Sequence, residues 1–219
     1  MLKNDYLKEV ENTLKLVREE VDKDIIKGDI EEAKKRINKE LKGLIGLDKE
    51  TIDLFSFEGI CEFIDRGQEF NEEKYIALGV LLLLEGKLSK IENKENDEIT
   101  YYEKSLSSFY KVYEDDEVLG KKYIDDAIET SNELIKYNLS IEMDQKIFRI
   151  YELNGSFDKA ENTLFYMLRK SGNDKMIILD GMKFYNRLKK LDYEELIQGN
   201  LPIEEVEDGI SELERRLGI

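Results

Sequence analysis

This sequence predicts an all-α protein, an α-α superhelix of stacked helical hairpins with roughly nine to ten helices in a single domain, residues 1–219. Three observations predict it. Apolar residues recur at three- and four-residue steps along most of the chain, the period of a helix with one buried face. Pro occurs once and Gly 14 times in 219 residues, too little turn punctuation for a β-sandwich or barrel. A helix–turn–helix pattern occurs twice with the same spacing: Gly28-Asp29-Ile30-Glu31-Glu32-Ala33 and Gly155-Ser156-Phe157-Asp158-Lys159-Ala160 both read Gly, a cap, an apolar residue, two polar residues and Ala.

The second occurrence organises the stretch from Asp144 to Gly172. Ile147, Ile150, Tyr151 and Leu153 form one helical stripe. Asn154-Gly155 ends that helix, because Gly tolerates the left-handed conformation common at helix C-termini. Ser156 is placed to cap the next helix by accepting a backbone N–H bond. Ala160, Leu164, Met167 and Leu168 form the second stripe. A Tyr late in the first helix, a Gly turn, then an aromatic and a small Ala in the second is the layout of a tetratricopeptide (TPR) repeat. The small Ala lets the two helices approach closely.

The other elements follow in order. A first helix over about 3–27 carries Leu7, Val10, Leu14, Val17, Val21 and Ile25 on one stripe. Gly28 ends it and Asp29 caps a second, with Ile30, Ala33, Ile37, Leu41 and Leu44–Ile45. Asp48 and Ser56 cap two short helices, the latter with Phe57, Ile60, Cys61 and Ile64 inward, and Arg66-Gly67-Gln68-Glu69 reads as a linker. Asn71 caps the most apolar helix, where Ile76 to Leu84 leave no polar face; such a helix is buried on several sides and marks the centre of the core. Ile91 to Ile99 reads as a charged loop too polar to bury. A helix from about Glu98 to Tyr113 bears the aromatic stripe Tyr101, Tyr102, Phe109, Tyr110 and Tyr113, and one helix is expected from Asp116 to about Tyr137. After the repeat, Asn173 caps a helix to about Lys190, Asp192 caps a short turn to Ile197, and Pro202 sits in the first turn of the last helix, where its missing N–H costs nothing.

Composition narrows the function. Hydrophobic residues make up 41% and charged residues 38%, enough apolar surface for a core and too ordered a pattern for disorder. The net charge of −16 argues against nucleic acid and anionic membranes, both of which need clustered Lys and Arg. The longest apolar run, Ile76 to Leu84, is shorter than the about 20 residues a spanning helix needs. One Cys and no apolar leader point to a cytoplasmic protein.

Beyond these patterns, the chain resembles an uncharacterised family of TPR-like helical proteins found chiefly in clostridia and their relatives, grouped as a domain of unknown function. The resemblance rests on Leu2-Lys3-Asn4-Asp5-Tyr6, on the turn and helix Gly155 to Phe165, and on the ending, where Gly181-Met182-Lys183-Phe184-Tyr185-Asn186-Arg187-Leu188 precedes Gly199-Asn200-Leu201-Pro202 and Glu204-Glu205-Val206-Glu207-Asp208-Gly209. It implies a TPR-like fold and supplies no site residues.

Catalytic and metal-binding patterns are sparse. There is no His, hence neither the commonest general base nor the commonest zinc ligand. Cys61 on an apolar stripe reads as a small buried hydrophobe. Glu114-Asp115-Asp116-Glu117 lacks the alternating spacing and central Gly of a calcium loop. No catalytic residue, cofactor site or metal site is therefore expected. The expected function is a non-enzymatic module binding a protein or peptide partner, with a peptide or small-ligand sensor acting on a separate effector as the alternative. Candidate partner-binding residues are Glu142, Gln145, Arg149 and Glu152, on the outward side of the repeat's first helix, and Tyr102 and Tyr110 from the aromatic stripe, since aromatics and Arg concentrate in binding hot spots.

Overall fold

A computed structural model describes residues 2–66 and 71–218 of the chain. All regular structure among the described residues is helical: thirteen α-helices, ten of them eight residues or longer, and one π-helical turn. The excess over the expected count comes mainly from three helices of only six residues. The linker expected at Arg66–Glu69 lies, from residue 67 on, outside the described residues. The chain is organised in two compact units, Met1–Leu134 and Ile135–Ile219.

The first unit contains α1 (Leu2–Lys27), α2 (Ile30–Glu40), the π-helical turn Leu41–Ile45, α3 (Lys49–Leu54), α4 (Phe57–Ile64), α5 (Glu72–Ile91), α6 (Glu95–Asp115), α7 (Glu117–Lys122) and α8 (Ile124–Leu134). Its centre is the α5–α6 hairpin. Every residue from Tyr75 to Gly86 of α5 is buried, as its unbroken apolar run demands. α1 packs on α2 and α5 of its own chain, burying Val10, Leu14, Val17 and Val21. α6 lies so close to α5 that glycine is required at the crossings. A Cβ on Gly79 would stand 2.7 Å from the Phe109 ring, and one on Gly86 2.4 Å from the Tyr102 ring.

The second unit contains α9 (Ile141–Leu153), α10 (Phe157–Ser171), α11 (Lys175–Leu188), α12 (Tyr193–Gln198) and α13 (Ile203–Leu217). α9 pairs with α10, and α11 with α13. Ala160 is fully buried, as the closeness of α9 and α10 requires.

The two look-alike turns share one backbone construction. Gly28 and Gly155 are both left-handed, at φ 77° and 72°. In each turn the Gly N–H reaches the carbonyl three residues back, Ile25 or Glu152, and the next N–H reaches five back, to Asp24 or Tyr151. This is the bonding that ends a helix with its last carbonyls satisfied.

Asp29, Asp48, Ser56, Asn71, Asp116 and Asp192 accept backbone N–H bonds at their helix starts, as expected. Four local expectations need correction. Ser156 makes no capping bond; its hydroxyl accepts from the Asn154 amide instead. The cap of α11 is Asp174, because Asn173 takes the left-handed conformation at φ 66°. The charged segment after Ile91 is not a long loop: α6 starts at Glu95, and Glu98 is only 5% exposed. The helix expected over 116–137 is interrupted at Tyr123, dividing it into α7 and α8.

Gly86→Ala forces the Tyr102 ring out of a filled core and is expected to cost about 1–3 kcal/mol; urea unfolding checks it, with Gly86→Ala/Tyr102→Leu recovering part of the loss. Ala160→Leu, which overpacks the α9–α10 contact, is expected to lower the urea midpoint by a cost in the same range of about 1–3 kcal/mol.

Candidate functional site

The polar face expected on α9 is divided by its ion pairs. Glu142 is exposed and pairs with Lys146 at 3.1 Å. Gln145 is half-exposed. Glu152, by contrast, is only 8% exposed. Arg187 of α11 grips it with Nε at 2.6 Å and Nη2 at 2.9 Å, and Arg149 adds a bond at 2.6 Å. Glu152 and Arg187 thus tie α9 to α11, and Arg149 braces the carboxylate from its own helix. The aromatic stripe of α6 is likewise mostly interior: Tyr101 is 3% and Tyr102 1% exposed, while Tyr110 is half-buried. Tyr101 donates to Asp53 at 2.5 Å. Cys61 is half-buried, and burial pushes its thiol above the ordinary range.

A groove of about 270 Å³ opens elsewhere, between α10 and α13. Glu161 and Phe165, one turn apart on α10, form one wall. Glu205, Asp208, Gly209 and Glu212 form the other, at the i, i+3, i+4 and i+7 positions of one edge of α13. α11 lies beneath. Gly181 of α11 sits where a Cβ would meet both Leu164 of α10 and Leu213 of α13 at 2.8 Å. One turn on, the Tyr185 ring passes under Gly209, where a Cβ would stand 2.3 Å from its hydroxyl. That hydroxyl donates to Glu161 at 2.6 Å.

The groove's electrostatics are uneven. Burial raises the Glu161 carboxyl above its ordinary value, and the charges of Glu205 and Asp158 add to this, while the Tyr185 bond opposes it. At the other end Arg215 and Arg216 bond Glu212 and hold its carboxyl below the ordinary range. Arg216 also places its guanidinium 5.5 Å from the centre of the Phe165 ring and donates to Asn173. A cation resting on an aromatic face beside a carboxylate is favourable on both counts. The carboxylates are spread along the groove rather than gathered: among the described residues no group of three or more His, Cys, Asp or Glu could hold a metal ion.

Over this chain the model of a family described as "Family of unknown function (DUF6483)" matches residues 1–218. The chain belongs to that family. No curated protein and no solved structure matches it. The family brings no assigned chemistry, so the site rests on the geometry above. Sequence reasoning missed the groove. Its signal is the run Glu205, Asp208 and Glu212 along one edge of α13, with Gly209 inside the helix, although Glu residues at a helix start also suit the helix dipole.

Arg187→Ala leaves the Glu152 carboxylate buried without its bidentate partner and is expected to destabilise by about 1.5–3 kcal/mol. Adding Glu152→Ala is expected to cost less than the sum of the two single changes, in a urea double-mutant cycle.

Proposed function

We propose that this protein is a non-enzymatic, cytoplasmic interaction module, a TPR-like stack of helical hairpins that docks a basic segment of a protein or peptide partner in the groove between α10 and α13. The observation that carries this reading is the groove itself: an aromatic wall at Phe165, the bare backbone of Gly209, and four carboxylates along the rim. Charge complementarity selects the occupant, since a chain of net charge −16 draws cationic partners and a carboxylate rim fixes their register. Arg216 on Phe165 supports a guanidinium or ammonium as the group that fits there. The matching turns at Gly28 and Gly155, each followed by a fully buried Ala, support the TPR-like reading of the hairpins. The absence of His in the sequence and the raised Cys61 thiol support a role without catalysis.

A fluorescein-labelled peptide of alternating Lys and Leu tests this by anisotropy. Glu205→Lys/Asp208→Lys is expected to weaken binding about tenfold, about 1.4 kcal/mol. Glu207→Lys/Glu214→Lys makes the same charge change at other exposed positions of α13 and is expected to change affinity little. Equal weakening by both pairs, abolished in about 0.5 M salt, would mean general charge attraction and sink the groove. Thermal stabilisation by a metabolite or short neutral peptide, with no Lys/Leu binding, would favour the sensor reading.

A further inference from the structure

One end of the groove is covered by a side chain of the protein itself. Arg216, in the last turn of α13, makes three contacts there. Its Nε donates to Glu212 at 2.8 Å, its Nη1 donates to Asn173 in the turn after α10, and its guanidinium lies 5.5 Å from the centre of the Phe165 ring. Glu212 and Phe165 stand on opposite walls of the groove, so Arg216 spans it.

The neighbouring Arg215 separates this placement from charge alone. It sits in the same turn and grips the same carboxylate more fully, with Nε at 2.9 Å from one oxygen and Nη2 at 2.8 Å from the other. Its side chain is nevertheless 75% exposed, against 22% for Arg216. A cation at a helix C-terminus suits the helix dipole, which accounts for both residues equally. It does not account for the reach of Arg216 away from its own helix, to an aromatic ring and an amide. Among the described residues Glu212 is the one rim carboxylate held in ion pairs, and it has two. Glu205 and Asp208, further along the rim, are exposed. The covered end fits a guanidinium better than an ammonium. A planar fork sets one N–H on a carboxylate and another on an amide while its face meets a ring, and a compact ammonium lacks that plane.

We propose that Arg216 is a built-in occupant of the groove, and that an arginine side chain of the partner docks by displacing it from Phe165 and Glu212. This rests on the docking of a basic segment between α10 and α13 and adds the condition for entry. Two guanidinium groups compete for one ring. The apparent affinity is therefore reduced by the share of time that Arg216 covers it. An incoming arginine replaces the contacts of Arg216 one for one, while further cations of the partner meet Glu205 and Asp208 and tip the exchange.

Fluorescein-labelled peptides of alternating Arg and Leu, and of alternating Lys and Leu, test this on the full chain by anisotropy. Arg216→Ala is expected to bind the Arg/Leu peptide about two- to fivefold more tightly than Arg215→Ala does, the worth of one exposed cation–π contact. Both variants remove one positive charge beside Glu212, so their difference reads the uncovering of the ring. The Lys/Leu peptide is expected to gain less. Nitrogen-15 NMR gives a direct reading: the Arg216 Nε–H signal, assigned by its loss in Arg216→Ala, is expected to shift as the Arg/Leu peptide saturates the wild type. An Arg216→Ala affinity no higher than that of Arg215→Ala, or an Arg216 signal unmoved at saturation, would overturn the displacement. The docking reading survives that result if Glu205→Lys/Asp208→Lys still weakens binding. An equal gain for the Lys/Leu peptide would overturn arginine as the displacing group. Binding of neither peptide to the wild type or to Arg216→Ala would overturn the displacement and the docking together. If Arg216→Ala fails to fold, Asn173→Gly decides. It keeps the left-handed turn at φ 66° and removes one tether of Arg216, so an Arg/Leu affinity no higher than wild type removes the competition.

Discussion

The first unit depends on one constraint: α5 has no polar face. An amphipathic helix can be laid on a surface, but a helix apolar all round must be covered on every side. α6 covers one side, at a distance only glycine permits, with the Phe109 and Tyr102 rings filling the places where side chains of Gly79 and Gly86 would be. α1, α2, the π-helical turn and α8 cover the rest. This closeness has a second consequence. Polar groups on α6 that face α5 lose water and must find partners inside, as Ser105 does on the Gly79 carbonyl and Lys104 on that of Ile52. Aromatic residues on α6 are therefore packing elements first, and the Tyr101 hydroxyl donates to the Asp53 carboxylate.

The same constraint explains which parts of the fold were legible in the sequence. Helix starts were readable where one side chain can satisfy a free N–H locally, as at Asp29, Ser56 and Asn71. They were misread where two neighbours compete: at Asn173-Asp174 the amide takes the left-handed turn and the carboxylate the cap, a division that depends on the preceding Gly172. The charged stretch after Ile91 was misread because seven polar residues hide a helix whose first turn suits carboxylates. Glu95, Asp97 and Glu98 sit at the positive end of α6, and the hairpin then needs only Glu92, Asn93 and Lys94 to turn.

The groove was illegible for another reason. Glu205, Asp208 and Glu212 are ordinary for the solvent edge of a helix, and only the placement of α10 over α11 turns them into a wall. Glu161 is equally ordinary in sequence, yet burial lifts its carboxyl against the bond it accepts from the Tyr185 hydroxyl. Conversely, Glu152 looked like an exposed binding residue and is occupied by Arg187. Residue type and period identify an edge, while the neighbouring helix decides whether that edge is an ion pair, a groove or solvent.

Glu152, Asp144 and Glu85 show how far partner geometry separates buried carboxylates of similar exposure. Glu152 has two guanidinium groups, and Asp144 has Lys170 at 2.9 Å. Each has a counter-charge in hand, and each ties two helices of the second unit together. Glu85 is at least as deeply buried, but the cations acting on it are already committed, Lys34 to Glu31 and Glu92, and Lys49 to Asp53. Coulomb attraction from a committed cation is largely cancelled by the anion it already holds, so desolvation dominates and the carboxyl is raised. Burial raises the Glu85 carboxyl to about 7, with desolvation the largest cause.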